Sequence, residues 1–128
     1  MAHPVKKILL VEDTANLAEE IVEVLQWSGY EVKWASGGDK ALEMLKDYPA
    51  ELIVTDLLMP GMDGYDLIRM LRSMQQYKNI PIIILSAKTS PADKAKGIEV
   101  GANGFVGKPC KANELLSAIE PYLGKGTE

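Results

Sequence analysis

The chain has 128 residues, a formal net charge of −4, and a composition that is 47% hydrophobic and 25% charged. That is enough chain for one ordinary domain with its own core, too apolar for a disordered segment, and acidic enough to argue against a nucleic-acid surface as its main business. A single cysteine, Cys110, excludes an internal disulfide and fits a reducing cytoplasm, and the N-terminal apolar run Ile8 to Val11 is too short for a signal-peptide core or a membrane span.

Strand-like and helix-like patterns alternate along the chain. Lys7 to Val11 (KILLV) is a short continuous apolar run, the pattern of a strand buried on both faces. Asn16, with Glu19 three residues on, has capping-box spacing and predicts a helix start; Leu17, Ile21, Val24 and Leu25 recur at helical period, and Gly29 is the stop. Tyr30 to Ala35 alternates and predicts a strand at a sheet edge. Ser36-Gly37-Gly38 is a turn. Ala41, Leu42, Met44 and Leu45 mark a second helix, ended before Pro49.

Leu52 to Thr55 predicts another buried strand, and Asp63 a cap for a third helix with Leu67, Ile68 and Leu71 on one face. Pro81 to Leu85 is a fourth strand with proline at its first position, where it costs least. Pro91 to Val100 is a fourth helix, with Gly101 as its C-terminal glycine. Gly104 to Gly107 is a brief fifth strand, and Asn113 caps a last helix carrying Leu115, Leu116, Ile119 and Leu123. The GKGTE tail reads as frayed. Five βα units with short connections mean an α/β fold with a parallel sheet and helices on both faces. Such sheets bind ligands at the carboxyl ends of their strands.

Strand one ends in Glu12-Asp13, strand three in Asp56, strand four in Ser86-Ala87 and strand five in Lys108-Pro109; strand two offers only Ser36. All these ends share one sheet edge, so three carboxylates, a hydroxyl and an ammonium converge there. Three close carboxylates repel one another and call for a cation. A small all-oxygen set suits Mg²⁺, which keeps waters and takes a phosphate oxygen. Lys108 as a point charge and Ser86 as a donor suit further phosphoryl oxygens. An aspartate can itself be the nucleophile and form an acyl phosphate, with positioning and charge neutralisation supplying most of the catalysis. Taken singly, each acid reads as a cap or loop residue, Ser86 as a turn residue and Lys108 as a solvated lysine. The joint pattern over four of the five strand ends carries the phosphoryl-handling reading.

In order and at spacing, ILLVED, LIVTDLLMPGMDG, PIIILSA and GFVGKP resemble the receiver domain of two-component response regulators, most closely the stand-alone chemotaxis type. The resemblance covers about residues 5 to 123 and implies one receiver domain over residues 1–128. The implied architecture is a doubly wound, flavodoxin-like three-layer sandwich with strand order 2-1-3-4-5 and five helices. It implies Asp56 as phosphoacceptor, Asp13 as direct Mg²⁺ ligand, Glu12 reaching the ion through water, and the Leu58 carbonyl as a further ligand. It implies that Ser86 and Lys108 bind the phosphoryl group, that the Lys108–Pro109 bond is cis, and that Phe105 is the aromatic switch residue turning inward with Ser86. Phe105 stands where tyrosine is frequent, so no phenolic hydroxyl reports its position. Leu58 and Lys88 occupy the two variable positions overlooking the site and are expected to restrict water.

The implied partners are a histidine kinase or phosphotransfer protein and a downstream protein on the helix 4, strand 5, helix 5 face, which includes Lys94, Lys96, Glu99, Lys111 and Glu114. The implied state is a cytoplasmic monomer or weak dimer, with no direct contact to nucleic acid or membrane and no enzymatic activity beyond its own phosphorylation and dephosphorylation. The expectation from a chain ending soon after the fifth helix is a receiver without a DNA-binding output domain, read as a free-standing regulator or as a receiver module cut from a hybrid kinase. Competing readings are an aspartyl-nucleophile phosphatase, disfavoured by Leu58 where a second acid is needed, a flavin module, disfavoured by acids after strand one, and a phosphorylation-independent docking domain. His3 is the only histidine and is not read as a relay residue. Trp27, Trp34 and Met44, Met59, Met62, Met70 and Met74 are expected to be packing or turn residues, with Trp34 open at an edge. Cys110 is expected to be a small packed residue.

Overall fold

The computed structural model describes residues 4–125; the expectations for His3 and for the end of the tail fall outside that range. Strands and helices alternate as β1 (Lys7–Val11), α1 (Ala15–Trp27), β2 (Glu31–Ala35), α2 (Gly38–Leu45), β3 (Leu52–Thr55), α3 (Gly64–Ser73), β4 (Ile82–Ser86), α4 (Pro91–Val100), β5 (Gly104–Gly107) and α5 (Ala112–Leu123). All strand pairs are parallel, in the order β2-β1-β3-β4-β5. This is the doubly wound, flavodoxin-like α/β sandwich expected from the sequence.

Alternation along each strand builds two cores, one per face. Ile8, Leu10, Leu52, Val54, Ile83 and Leu85 pack under α1 and α5 through Ala18, Ile21, Leu25, Leu115 and Ile119. Leu9, Val11, Ile53, Ile82 and Ile84 pack under α2 and α3 through Ala41, Leu45, Leu67, Ile68 and Leu71, with Val100 of α4 at the margin. The central strands are therefore apolar throughout, while β2 alternates as an edge strand does.

Several local expectations need correction. Helix α1 starts at Ala15 with Thr14 at the cap position, and its first-turn bond runs from the Ala18 N–H to the Thr14 carbonyl at 2.9 Å; Asn16 lies inside the helix, so no box with Glu19 forms. Helix α5 starts at Ala112, one turn position ahead of the expected Asn113 cap, and the Lys111 N–H donates to Glu114 Oε1 at 2.9 Å. Trp27 is 82% exposed at the end of α1 and Met70 is 43% exposed on α3, so neither is a packing residue. Asp63 does cap α3, accepting from the Asp66 N–H at 2.9 Å, and Gly101 ends α4 at φ 120°.

Arg72, in the last turn of α3, holds the far end of the molecule together. Its Nε and Nη2 donate to the Gly101 carbonyl at 3.0 and 2.8 Å, its Nη1 to the Tyr77 and Lys78 carbonyls at 3.0 and 3.2 Å, and its Nη2 to Asn103 Oδ1 at 2.9 Å. Asn103 Oδ1 also accepts from the Ile82 N–H at 2.8 Å, so one guanidinium links α3, the end of α4 and the start of β4. Replacing Arg72 by methionine keeps the aliphatic stem and removes the fork. The expected loss is about 2 kcal/mol, since hydrogen bonds from a charged donor are worth more than neutral ones. A urea midpoint read against the wild type checks it.

Candidate functional site

Three of the four strand ends with candidate residues run on past the register pairs and are still held by the sheet. Beyond the last register pairs, the Glu12 N–H donates to the Ala35 carbonyl at 3.0 Å, the Asp56 N–H to the Val11 carbonyl at 3.0 Å, and the Lys108 N–H to the Ser86 carbonyl at 2.9 Å. These bonds extend the ladder by one step and bring the side chains of neighbouring strands to one edge. Asp56, Glu12 and Ser86 are buried there, at 6%, 2% and 0% exposure, while Asp13 is exposed at the rim.

Buried carboxylates need partners. Lys108 Nζ supplies them, 2.6 Å from Glu12 Oε1 and 2.7 Å from Asp56 Oδ2. Burial by itself would lower the Lys108 pKa; the bonds to Asp56 and Glu12, and their charges, outweigh it and raise the ammonium above its ordinary value. The remaining oxygens are held by backbone. Asp56 Oδ1 accepts from the Leu57 and Leu58 N–H groups at 2.6 and 3.2 Å, and Glu12 Oε2 from the Thr14 N–H at 3.1 Å. One carboxylate oxygen from each of Glu12, Asp13 and Asp56 lies within 4.8 Å of the others. Hard oxygen donors, two of them buried and one open to water, make a set that suits a small divalent cation.

Ser86 ends β4, and its Oγ accepts the Lys88 N–H at 3.1 Å. Lys88 Nζ pairs with Asp93, 3.5 Å from its Oδ1, and lies 5.8 Å from the Tyr65 ring centre. Asp93 in turn receives Ser90 Oγ at 2.7 Å and the Tyr65 hydroxyl at its carbonyl at 3.3 Å. A chain of contacts thus runs from Ser86 through Lys88 and Asp93 to the first turn of α4. Leu58 is half-exposed beside Asp56. Phe105 is partly buried on β5; a Cβ at Gly97 would lie 3.5 and 3.7 Å from its ring carbons, so the ring rests against the bare backbone of α4. The Lys108–Pro109 bond is cis, as the resemblance implies.

Reading the sequence missed two residues at this site. Trp34 is half-buried, and its Nε1–H donates to the Glu12 carbonyl at 2.6 Å. Gly64, the first residue of α3, packs so closely that a Cβ there would press into the Asp56 carbonyl oxygen and come within 2.8 Å of Leu57 Cα. Its signal was present, since glycine at the start of a well-capped helix costs helix stability and asks for a reason. Cys110 is half-buried, and burial followed by the charge of Glu114 raises its thiol pKa, which keeps it an unreactive packed residue. Lys94, Lys96, Glu99, Lys111 and Glu114 are all exposed, but Lys96 Nζ lies 4.3 Å from the Tyr65 ring centre, on the α3 side of α4. No helix among the described residues is long and apolar enough to cross a membrane.

The model of the response regulator receiver domain family matches residues 8–120. A probable transcriptional regulatory protein of Picosynechococcus is 41% identical over an alignment of 124 residues that covers 91% of this chain and 49% of that protein. This chain therefore spans about half the length of the curated relatives it matches. The chemotaxis protein CheY4 of Vibrio cholerae superposes with a TM-score of 0.88 at 34% identity, covering 93% of this chain and 99% of that one. The receiver domain of the Pseudomonas aeruginosa sensor histidine kinase PA1611, solved with a magnesium ion coordinated in its active-site cleft, superposes with a TM-score of 0.86 at 29% identity, covering 94% and 99%. The fold, the carboxylate edge and these likenesses agree: this chain belongs to the response regulator receiver domain family, the phosphoryl-accepting switches of two-component signalling.

Proposed function

We propose that Asp56 is the phosphoacceptor and that the whole chain is one receiver domain working as a signalling switch. The observation that carries this is the bridge from Lys108 Nζ to Asp56 Oδ2 and Glu12 Oε1. A buried acid at a strand end, held with a lysine beside an open carboxylate, is arranged for attack on a phosphoryl group. An Asp56 oxygen forms the new bond to phosphorus as the bond to the donor imidazole breaks, and the electron pair leaves with the imidazole nitrogen. The donor is a histidine kinase or phosphotransfer protein.

Asp13 directly, Glu12 through water, Asp56 and the Leu58 carbonyl would hold Mg²⁺, as the magnesium of the PA1611 receiver supports. Bound there, the ion would neutralise charge gathering on the phosphoryl oxygens. The new group adds charge of about −1.5 to −2 and acceptor oxygens in need of donors. Lys108 shifts from carboxylates to phosphoryl, and Ser86 Oγ turns to it. Turning breaks the Lys88 N–H bond and loosens the link to Asp93 and α4. Space opens for Phe105, and the face of α4, β5 and α5 changes its population of states for a downstream protein. The chain acts as a cytoplasmic monomer or weak dimer, with catalysis confined to its own phosphorylation and dephosphorylation. Leu58, two residues after Asp56, offers no second acid for a phosphatase.

Incubation with acetyl phosphate tests the reading. One phosphoryl group is added in the presence of Mg²⁺ and none after chelation, read by intact-mass spectrometry; an unmodified chain with both present sinks it. Lys108 gives a second expected outcome. Lys108→Met leaves two buried carboxylates without their cation, so stability without metal falls by about 3 kcal/mol. Saturating Mg²⁺ returns most of it, because a ligand at a hundredfold its Kd adds about 2.7 kcal/mol. Thermal midpoints with and without Mg²⁺ should show a larger gain for the variant than for the wild type.

A further inference from the structure

We propose that Trp34 is a positioning residue of the cation site: its indole fixes the Glu12 carbonyl and so sets the direction in which Asp13 leaves β1. The inference rests on the reading that Glu12, Asp13 and Asp56 hold Mg²⁺.

The β1–β2 register ends at Val11 opposite Ala35. The Glu12 N–H still finds the Ala35 carbonyl at 3.0 Å, but the Glu12 carbonyl lies past the end of the ladder. Trp34, one residue before the end of β2, reaches forward from the core under α1 and α5 and donates to it at 2.6 Å. The Thr14 N–H holds Glu12 Oε2 at 3.1 Å on the other side. A peptide unit is planar, so fixing the Glu12 N–H and C=O fixes where the Asp13 Cα stands. Asp13 itself is exposed, which leaves its aim to the backbone that carries it. Mg²⁺ tolerates little error, since it demands near-ideal octahedral geometry. Phenylalanine at 34 would keep an aromatic ring in the core and remove only the donor.

The test uses the full chain, a MgCl₂ titration and amide spectra. Its two tryptophans give two indole N–H signals, and Trp27, exposed at the opposite end of α1, is the internal control. The Trp34 indole signal should shift with the same half-saturation as the Asp13 and Asp56 amides while the Trp27 signal stays. In Trp34→Phe, half-saturating Mg²⁺ should rise by roughly 10-fold, the lower end for loss of a group that orients a metal ligand. Its maximal labelling rate by acetyl phosphate at saturating Mg²⁺ should stay within about twofold of wild type, a split that general destabilisation does not produce. An unmoved Trp34 indole beside shifting Asp13 and Asp56 amides overturns the positioning role alone, as does a folded Trp34→Phe with wild-type half-saturation. Silence at all three signals overturns the cation site together with it. If Trp34→Phe does not fold, the wild-type indole titration decides.

Discussion

An Asp56→Asn chain should take up almost no phosphoryl group from acetyl phosphate plus Mg²⁺. The amide is neutral and a poor nucleophile, so the labelling rate should fall by more than roughly 1,000-fold, about 4 kcal/mol in barrier. The fold should survive. The amide oxygen can still accept from Leu57 and Leu58, which now stand 2.6 and 3.2 Å from Oδ1, and Lys108 keeps Glu12 at 2.6 Å. A circular-dichroism melt separates lost chemistry from lost structure, and intact mass reads the chemistry. Labelling of the variant at anything near the wild-type rate would move the acceptor elsewhere.

Among the described glycines, Gly64→Ala should be the most damaging substitution. Asp63 caps the helix and places Gly64 against the peptide that follows Asp56; the Gly64 N–H donates to the Leu57 carbonyl at 3.0 Å. The added Cβ meets backbone, the Asp56 carbonyl oxygen and Leu57 Cα, so no flexible side chain can swing aside. Either α3 lifts from the sheet or the Asp56–Leu57 peptide moves. Overpacking of this kind costs about 3 kcal/mol, and the thermal midpoint should drop by roughly 10 °C. Because the displaced peptide carries Asp56, labelling of the remaining folded chain should slow as well. Gly97→Ala is the contrast. The Cβ there meets the tip of Ile84, Cδ1 at 2.7 Å, which can change rotamer, so its cost should be clearly smaller.

The fold was legible because the central strands are bare apolar runs between turn signals, and β3, α4 and β5 fall on the expected residues. The carboxylate edge was legible for a related reason: parallel connectivity sends every strand's carboxyl end the same way, so Glu12, Asp13, Asp56, Ser86 and Lys108 had to share an edge. Helix starts were less so. Asn16 and Asn113 carry good cap chemistry, but Thr14 and Lys111 occupy the cap positions, set by where the preceding strand delivers the chain. Trp27 and Trp34 look alike as large aromatics. Only their helical and strand phases separate an exposed indole from one bonded to Glu12, and nothing local shows that Trp34 reaches a carbonyl two register positions ahead on β1.

The added ladder bonds at Glu12, Asp56 and Lys108 bear on the encounter with a phosphodonor. Fixing a residue's backbone costs about 1–2 kcal/mol of conformational entropy. For these three residues that loss occurs when the sheet forms, as part of cooperative folding, long before a donor arrives. The encounter complex has only side-chain rotamers and the partner itself left to order. Loop-borne sites commonly bind and order in one event. Here the two are separated in time, so an acceptor at Asp56 would be preorganised by the sheet before the donor binds.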